Sequence, residues 1–551
     1  DAIDKVVQRH SMLRARFRQS YNSQWKQTLI GHSDLAYRFR QHTVNSEQKA
    51  LDLALHSQEQ LDIQNGPVFG AEYFSIPGQS PLFFLVAHHL VIDLVSWRII
   101  FQELQDSIVG EVAQAPTPPF SFQQWQQLQA EYAAEHLLPN QALPYMIPRP
   151  DYIYWGMEDV PNFAGDTIQI SAILGPRESE ILLTGCHQTM RTEPLDILIA
   201  SLFASFVRTF QRAPPAIFNE GHGRQPWNSE IDLSDSVGWF TTIFPLFLSG
   251  LEPTTPNGEI VRGVKDQRRT LPANGWAYFT SKYLNEDGVK AFADHMPVEV
   301  VFNYLGLYQG LERAEGIFQL VPFNKGDVGS AVQRYALFEI NVYVINGSIH
   351  ISFTFNRHMK HVDRIHKWLE NYAASLRDLS QDLAASNLTL TKSDYPLLDI
   401  SYPELDKLQN SRIPQLEFTL DDIEDIYPCS PLQTGILLSQ LRLEDTYLYH
   451  AIMRMDSCAG LPLNARQLAV AWQQVVDRHT ILRTIFLEGI TRQPFDQMVL
   501  HRHRPESPIL TAESNIQALE LLKGYKPLVP LVNKPPHRFI VVQCAEGPVY
   551  F

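Results

Sequence analysis

The sequence predicts a mixed α/β protein of two lobes, followed by part of a second copy of the same fold. Three observations lead there. The 551 residues exceed what one core uses, since domains run to ~100–200 residues. Strand-like and helix-like periodicities alternate in two roughly equal halves, ahead of a stretch rich in prolines and acids. And residues 6–17, VVQRHSMLRARF, return at 475–486 as VVDRHTILRTIF, with seven identities in twelve positions.

Apolar or alternating runs predict strands at 81–87, 167–174, 298–304 and 337–355. Spacings of three and four predict helices at 97–109, 121–136, 177–190, 194–211 and 361–384. QAPTPP (114–119) and LPNQALPYMIPRP (138–150) read as loops. The expected boundaries are a first lobe over 1–165, a second over 166–395, a linker over 396–418 and a truncated repeat of the first lobe over 419–551. His10 precedes His89 by 79 residues, so the counterpart of His89 in the second copy falls near position 558, past Phe551. GPVYF at the end resembles SPLFF ahead of the first histidine pair, and few helix residues stand ahead of DKVVQRH. Each copy is therefore expected to be incomplete.

Composition narrows the function. A net charge of −15 opposes nucleic-acid binding, which asks for a basic face. The basic run VKDQRR (264–269) reads either as a solvated helix face or as a patch for an acidic partner. No run of 18 apolar residues predicts a membrane span. Cys186, Cys429, Cys458 and Cys544 are scattered, with no CxxC pair, which reads as reduced thiols in a cytoplasmic setting.

Four segments carry chemistry. AHHLVIDLVSW (87–97) ends an apolar run on two histidines. Neighbours on a strand face opposite ways, so His88 and His89 cannot both address one ligand. A metal needs three or four convergent ligands where this segment offers two, so no metal is expected. One histidine can support the loop while the other is presented at the strand end. Asp93 can sit one turn from His89 or anchor the loop against an arginine. NEGHGRQPW (219–227) exposes Glu220 and His222 on a glycine turn, or is only a turn. VGWFTTIFP (237–245) reads as core by composition. EVVFNYLGLYQG (299–310) is a strand whose Asn303 and Tyr304 can donate hydrogen bonds to a carbonyl or satisfy a buried turn.

Together HHLVIDLVSW, EGHGR, VGWFTTIFP and VFNYLG stand in the order seen in epimerization domains of nonribosomal peptide synthetases, which this chain resembles over nearly its whole length. RHSMLRARF resembles a motif those domains share with condensation domains. DIYPCSPLQTGILLSQ (425–440) and RHTILRTIF resemble the first two motifs of a condensation domain in its fungal wording. Condensation domains usually carry glycine after the aspartate of the paired-histidine motif. Here Leu94 follows Asp93, and Ser96 and Trp97 complete the epimerization version.

The resemblance implies a chloramphenicol-acetyltransferase-like fold, two lobes in a V with a tunnel between them. The implied substrate is an aminoacyl or peptidyl thioester on the 4'-phosphopantetheine arm of an upstream carrier domain, with no cofactor of the domain's own. No GGHS or GGDS carrier motif is present, so that arm comes from a partner. The implied reaction inverts Cα from L toward D. His89 and Glu220 are the implied acid–base pair, since histidine titrates near neutrality and a desolvated carboxyl rises toward it. Asp93, His88, Ser96 and Trp97 are implied supports, and His222, Arg224, Asn303 and Tyr304 candidate lining or enolate-orienting groups. The rival expectation is a condensation-type acyl transfer helped by His89. The partners implied are the carrier and the rest of a downstream condensation domain, with neither nucleic acid nor membrane.

Overall fold

The computed structural model describes residues 1–20, 23–31, 35–110, 119–307, 316–319, 321, 326–443, 446–456, 464–525, 528, 533–545 and 547–551. Cys458, most of the 114–119 loop and the end of the 299–310 segment lie outside them. The chain forms two compact units, Asp1–His187 with Thr192–Ala385, and Gln188–Arg191 with Ser386–Phe551.

The first unit opens with a helix, Ala2–Arg9, whose Val6 and Val7 are buried. It turns into strand β1 (Ala15–Gln19), which pairs antiparallel with β2 (Trp25–Leu29). Strands β3 (Arg38–Thr43), β4 (Phe69–Ser75) and β5 (Leu82–Ala87) form a second sheet, crossed by the helix Glu47–Glu59. Beyond β5 the helix Leu94–Val109 begins at Asp93, whose carboxylate accepts the Ser96 amide as an N-cap. It starts three residues ahead of the expected 97, because the cap sits inside the motif rather than after it.

The other half of the unit is a six-stranded sheet in the order β6-β11-β10-β9-β7-β8. Its strands are β6 (Thr167–Leu174), β7 (Ile217–Gly221), β8 (Thr242–Leu246), β9 (Val298–Leu307), β10 (Ala336–Ile345) and β11 (Ser348–Asn356). β9 lies parallel to both β7 and β10, and such inner strands are buried on both faces. That is why VEVVF is continuous rather than alternating. β8 carries Pro245, tolerable because β8 is an edge. The helices Pro194–Phe210 and Val362–Ala385 pack together through aromatic contacts, Phe206 against Trp368 at 5.3 Å, with the Trp368 indole N–H donating to Ser205 Oγ.

The structure departs from the sequence expectations in places. The single strand expected over 337–355 is a hairpin, broken where Asn346 and Gly347 both take positive φ, the signature of a two-residue Asn-Gly turn. The helix expected over 177–190 is Pro176–Glu180 continued by a π turn to Gly185. In the VKDQRR run Val264 and Lys265 are buried, and Arg268 and Arg269 pair with Glu193 and Asp196 at the start of helix Pro194–Phe210. Those two arginines are spent on the carboxylates at the start of that helix, not on a free basic patch.

The second unit contains β12 (Ile423–Pro428), β13 (Arg454–Met455), β14 (Thr484–Glu488), β15 (Phe495–Leu500), β16 (Ile509–Ala512), β17 (Val541–Cys544) and β18 (Val549–Tyr550). They form two sheets, ordered β12-β15-β14 and β13-β18-β17-β16. The stretch 396–418 is not an extended linker. Pro403 and Pro414 open helical segments at Tyr402–Lys407 and Ile413–Gln415, where a proline costs nothing. Leu405, Leu408, Ile413 and Leu416 then bury against Ile423, Ile426, Ile485 and Met498. The compact unit accordingly begins at Ser386, ahead of the expected boundary. Cys186, Cys429 and Cys544 are buried free thiols.

Candidate functional site

β5 ends at Ala87, and His88–Val91 makes a tight 3-10 turn before the helix starts. The turn separates the two histidines. His88 is half-buried and its Nδ1 accepts the Leu90 amide at 3.3 Å. Burial, then the neighbouring His89, hold its pKa below the usual imidazole range, which keeps it an acceptor. His89 is exposed, with its ring edge-on to Trp239 at 5.2 Å.

Four residues beyond His89, Asp93 is nearly inaccessible and receives a forked arginine. Arg224 donates from Nη1 to Asp93 Oδ2 at 2.6 Å and from Nη2 to Oδ1 at 3.1 Å. Nη2 also reaches Ser96 Oγ at 2.9 Å and the Ser236 carbonyl at 3.0 Å. Asp93 Oδ2 further accepts the Phe240 amide, and Ser96 Oγ accepts the Gly238 amide. A buried pair holds only when its remaining lone pairs are satisfied, and here both carboxylate oxygens are. The VGWF segment is thus strapped at 238 and 240 to the paired-histidine loop, and Trp239 between the straps is left 42% exposed beside His89. Composition placed this segment wholly in the core. Val237 and Phe240 are core, but the straps turn Trp239 out.

Glu220 lies on β7, four residues before Arg224. The turn between them needs glycine at 223, which has φ +65° and where a Cβ would stand 1.8 Å from the Phe240 carbonyl oxygen. Within it, His222 Nδ1 accepts the Arg224 amide at 3.1 Å. Burial and the Arg224 charge keep His222 below its usual pKa, so it braces the turn as a neutral ring. Glu220 is half-buried, and its carboxyl is pushed up to about 7, first by burial, then by Glu339, against a hydrogen bond from Tyr335 that favours the ionised form.

The Arg224–Asp93 pair therefore gathers Ser96, the His222 turn and the loop that carries His88 and His89, while the Glu220 side chain, on β7 ahead of that turn, meets Tyr335. Trp97 packs into the core against Phe69 and Phe101. Asn303 and Tyr304 lie on β9, paired to Asn341 and Val342 of β10, and neither joins that network. Burial raises the Tyr304 phenol. Sequence reasoning missed Trp239, Tyr335 and Glu339. Trp239 stood inside a quoted motif, and the glycine beside it was the available signal, while Tyr335 and Glu339 stand in no motif. No three His, Cys, Asp or Glu side chains converge as a metal set among the described residues. Nor is any helix among them long and apolar enough to cross a membrane.

A three-stranded and a six-stranded sheet, joined where the paired-histidine loop meets the Glu-Gly-His-Gly-Arg turn, define a chloramphenicol-acetyltransferase-like α/β fold. A solved structure with this fold, the epimerization domain from the third module of tyrocidine synthetase B, superposes with a TM-score of 0.60 at 24% identity, covering 70% of this chain and 88% of that one. The condensation domain of the Monacolin K polyketide synthase MokA gives a TM-score of 0.50 at 16% identity, over 70% and 88% of the two chains. The family model for the condensation domain matches residues 1–394, and the chain belongs to that family. Nonribosomal peptide synthetase ungA' of Aspergillus campestris is 40% identical over 519 residues, 93% of this chain. Nonribosomal peptide synthetase 4 of Gibberella zeae is 38% identical over 567 residues, all of it. The chain spans only 5% and 7% of the length of those relatives.

Proposed function

We propose that the first unit epimerizes the Cα of an aminoacyl or peptidyl residue held as a thioester on a carrier domain. The observation that supports this is the ion pair between Arg224 and Asp93, which joins the turn that follows Glu220 on β7 to the loop that carries His89. One of the two groups removes the Cα proton, and the C–H electron pair moves into the thioester carbonyl as an enolate. The other, protonated, returns a proton to the opposite face, and the thioester is unchanged. A carboxyl that binds its proton to about pH 7 serves in either direction, because general acids and bases work best near the operating pH. The thioester arrives on a partner carrier's phosphopantetheine, and the second unit reads as the opening of a following condensation domain.

The rival is peptide-bond formation by acyl transfer, with His89 assisting the amine. Glu220, and Leu94 where condensation domains usually place glycine, favour epimerization. The test is a carrier loaded with an L-aminoacyl group, mixed with the protein in deuterated water. Deuterium at Cα and the D fraction should rise together. Each acid–base group contributes ~10²–10⁴-fold, so His89→Ala and Glu220→Ala should each lose most of the exchange. Exchange at full rate in both variants would refute the assignment.

A further inference from the structure

Glu220 has one hydrogen-bond donor that no motif points to. Tyr335, 115 residues further along the chain, places its hydroxyl 3.4 Å from Glu220 Oε1. The backbone dictates that the ring faces this way. The Arg334 amide donates to the Asn162 carbonyl at 2.7 Å, and the Tyr335 carbonyl accepts the Val298 amide at 2.9 Å at the entry to β9. Successive side chains of extended chain face opposite ways. Arg334 is 8% exposed, with its guanidinium on Glu339 and on the Leu337 and Thr354 carbonyls, and Ala336 is fully buried. Tyr335 between them is 44% exposed, on the accessible side with Glu220.

We propose that Tyr335 is a positioning residue for Glu220, its hydroxyl orienting the carboxyl and stabilising the ionised form that accepts a proton. This rests on the role given to Glu220 above. The charged and titratable groups around the pair fit that task. Glu339 on β10 repels a charge on Glu220, but is itself engaged by Arg334 Nε at 3.0 Å. Burial, then the Glu220 and Glu339 carboxylates, and least Tyr283 from the helix Trp276–Leu284, push the Tyr335 phenol above its ordinary value. Tyr335 is therefore a fixed donor that keeps its own proton while Glu220 exchanges one. Loss of the hydroxyl leaves burial and Glu339 acting on Glu220 unopposed.

The variant is Tyr335→Phe, which keeps the ring and removes only the hydroxyl. Infrared difference spectra of the full chain against pH follow the protonated-carboxyl band of Glu220, assigned as the one absent from Glu220→Gln. The Glu220 midpoint should move up by about 0.5–1 pH unit in Tyr335→Phe, in line with losing one hydrogen bond of ordinary net strength. The acid limb of the Cα exchange profile should move with it, and the variant's rate should converge on wild type at alkaline pH. A merely structural role would lower the rate at every pH and leave the midpoint in place. An unmoved midpoint overturns the proposal, even where Glu220→Gln abolishes exchange and the functional reading survives. Exchange that persists in Glu220→Gln overturns the functional reading, while the infrared midpoint still decides what Tyr335 does to the carboxyl.

Discussion

The turns after helices Ala2–Arg9 and Ala465–Arg478 have nearly the same sequence and the same backbone, yet opposite surroundings. In both, the histidine amide closes the helix, His10 to the Val6 carbonyl and His479 to the Val475 carbonyl, at 3.0 Å each. In both, a fully buried valine (Val7, Val476) anchors the last turn. In both, the arginine four residues on donates to the equivalent carbonyl at the end of the partner strand, Arg14 to Ile30 and Arg483 to Leu500. The differences lie further out. His10 is 2% exposed and meets Glu103 of helix Leu94–Val109 at 2.8 Å, whereas His479 is exposed. All five residues of β2 are exposed, whereas all six of β15 are buried between β12 and β14. Local sequence sets the helix–turn–strand path, and segments remote in sequence set what it buries.

The largest effect should come from the clamp on the paired-histidine loop, which lies in the first unit. Asp93→Ala leaves the Arg224 charge buried without its partner, and breaking such pairs costs about 3–5 kcal/mol. Hydrogen exchange, read by mass spectrometry, should show the loss in peptides of the first unit and not in those of 386–551. Equal loosening of both units would break the comparison.

Next comes strand burial. Met498 of β15 pairs with Ile485, and Thr28 of β2 occupies the matching place opposite Arg16. Met498→Ala should cost about 2–5 kcal/mol in denaturant melts and Thr28→Ala under about 0.5.

Acidity should sharpen the contrast further. The folded-state pKa of Glu220, about 7, stands above the ordinary carboxylate value, so the folded form binds the extra proton. Stability of the first unit therefore falls as pH rises from ~4.3 to ~7, and the penalty is complete above that. Glu220→Gln should remove it, a gain on the order of 2 kcal/mol at alkaline pH after discounting for half-exposure, with no change in the second unit. A variant curve parallel to wild type across that window would show that the carboxyl is not raised. The smallest contrast is His10→Ala against His479→Ala, about 1–3 kcal/mol against under about 0.5.

Much of this was legible beforehand. The repeat, the four motifs and the helices Leu94–Val109, Phe122–His136, Pro194–Phe210 and Val362–Ala385 come from spacing and residue type, which act locally. The Asn-Gly hairpin at 346–347 was also there to be read, but the apolar run on either side masked it. The prolines of 396–418 suggested a linker because proline breaks helix interiors, whereas here it starts helices, a distinction that needs the caps. Trp239 looked like core because hydropathy does not register that Gly238 and Phe240 are strapped to Ser96 and Asp93. Tyr335 was invisible, since nothing local marks a tyrosine whose partner is 115 residues away.

The sequence by itself determined several of the helices and strands, that one helix–turn–strand motif occurs twice, and which residue types stand ready for proton transfer. Those depend on periodicity, turn residues and side-chain chemistry, all written within a dozen positions. Tertiary structure alone decided that Arg224 is the arginine that joins Asp93, that Trp239 is turned out beside His89, and that Tyr335 and Glu339 face the Glu220 carboxyl. Burial and charge pairing are fields summed over neighbours in space, and those neighbours arrive from strands more than a hundred residues apart.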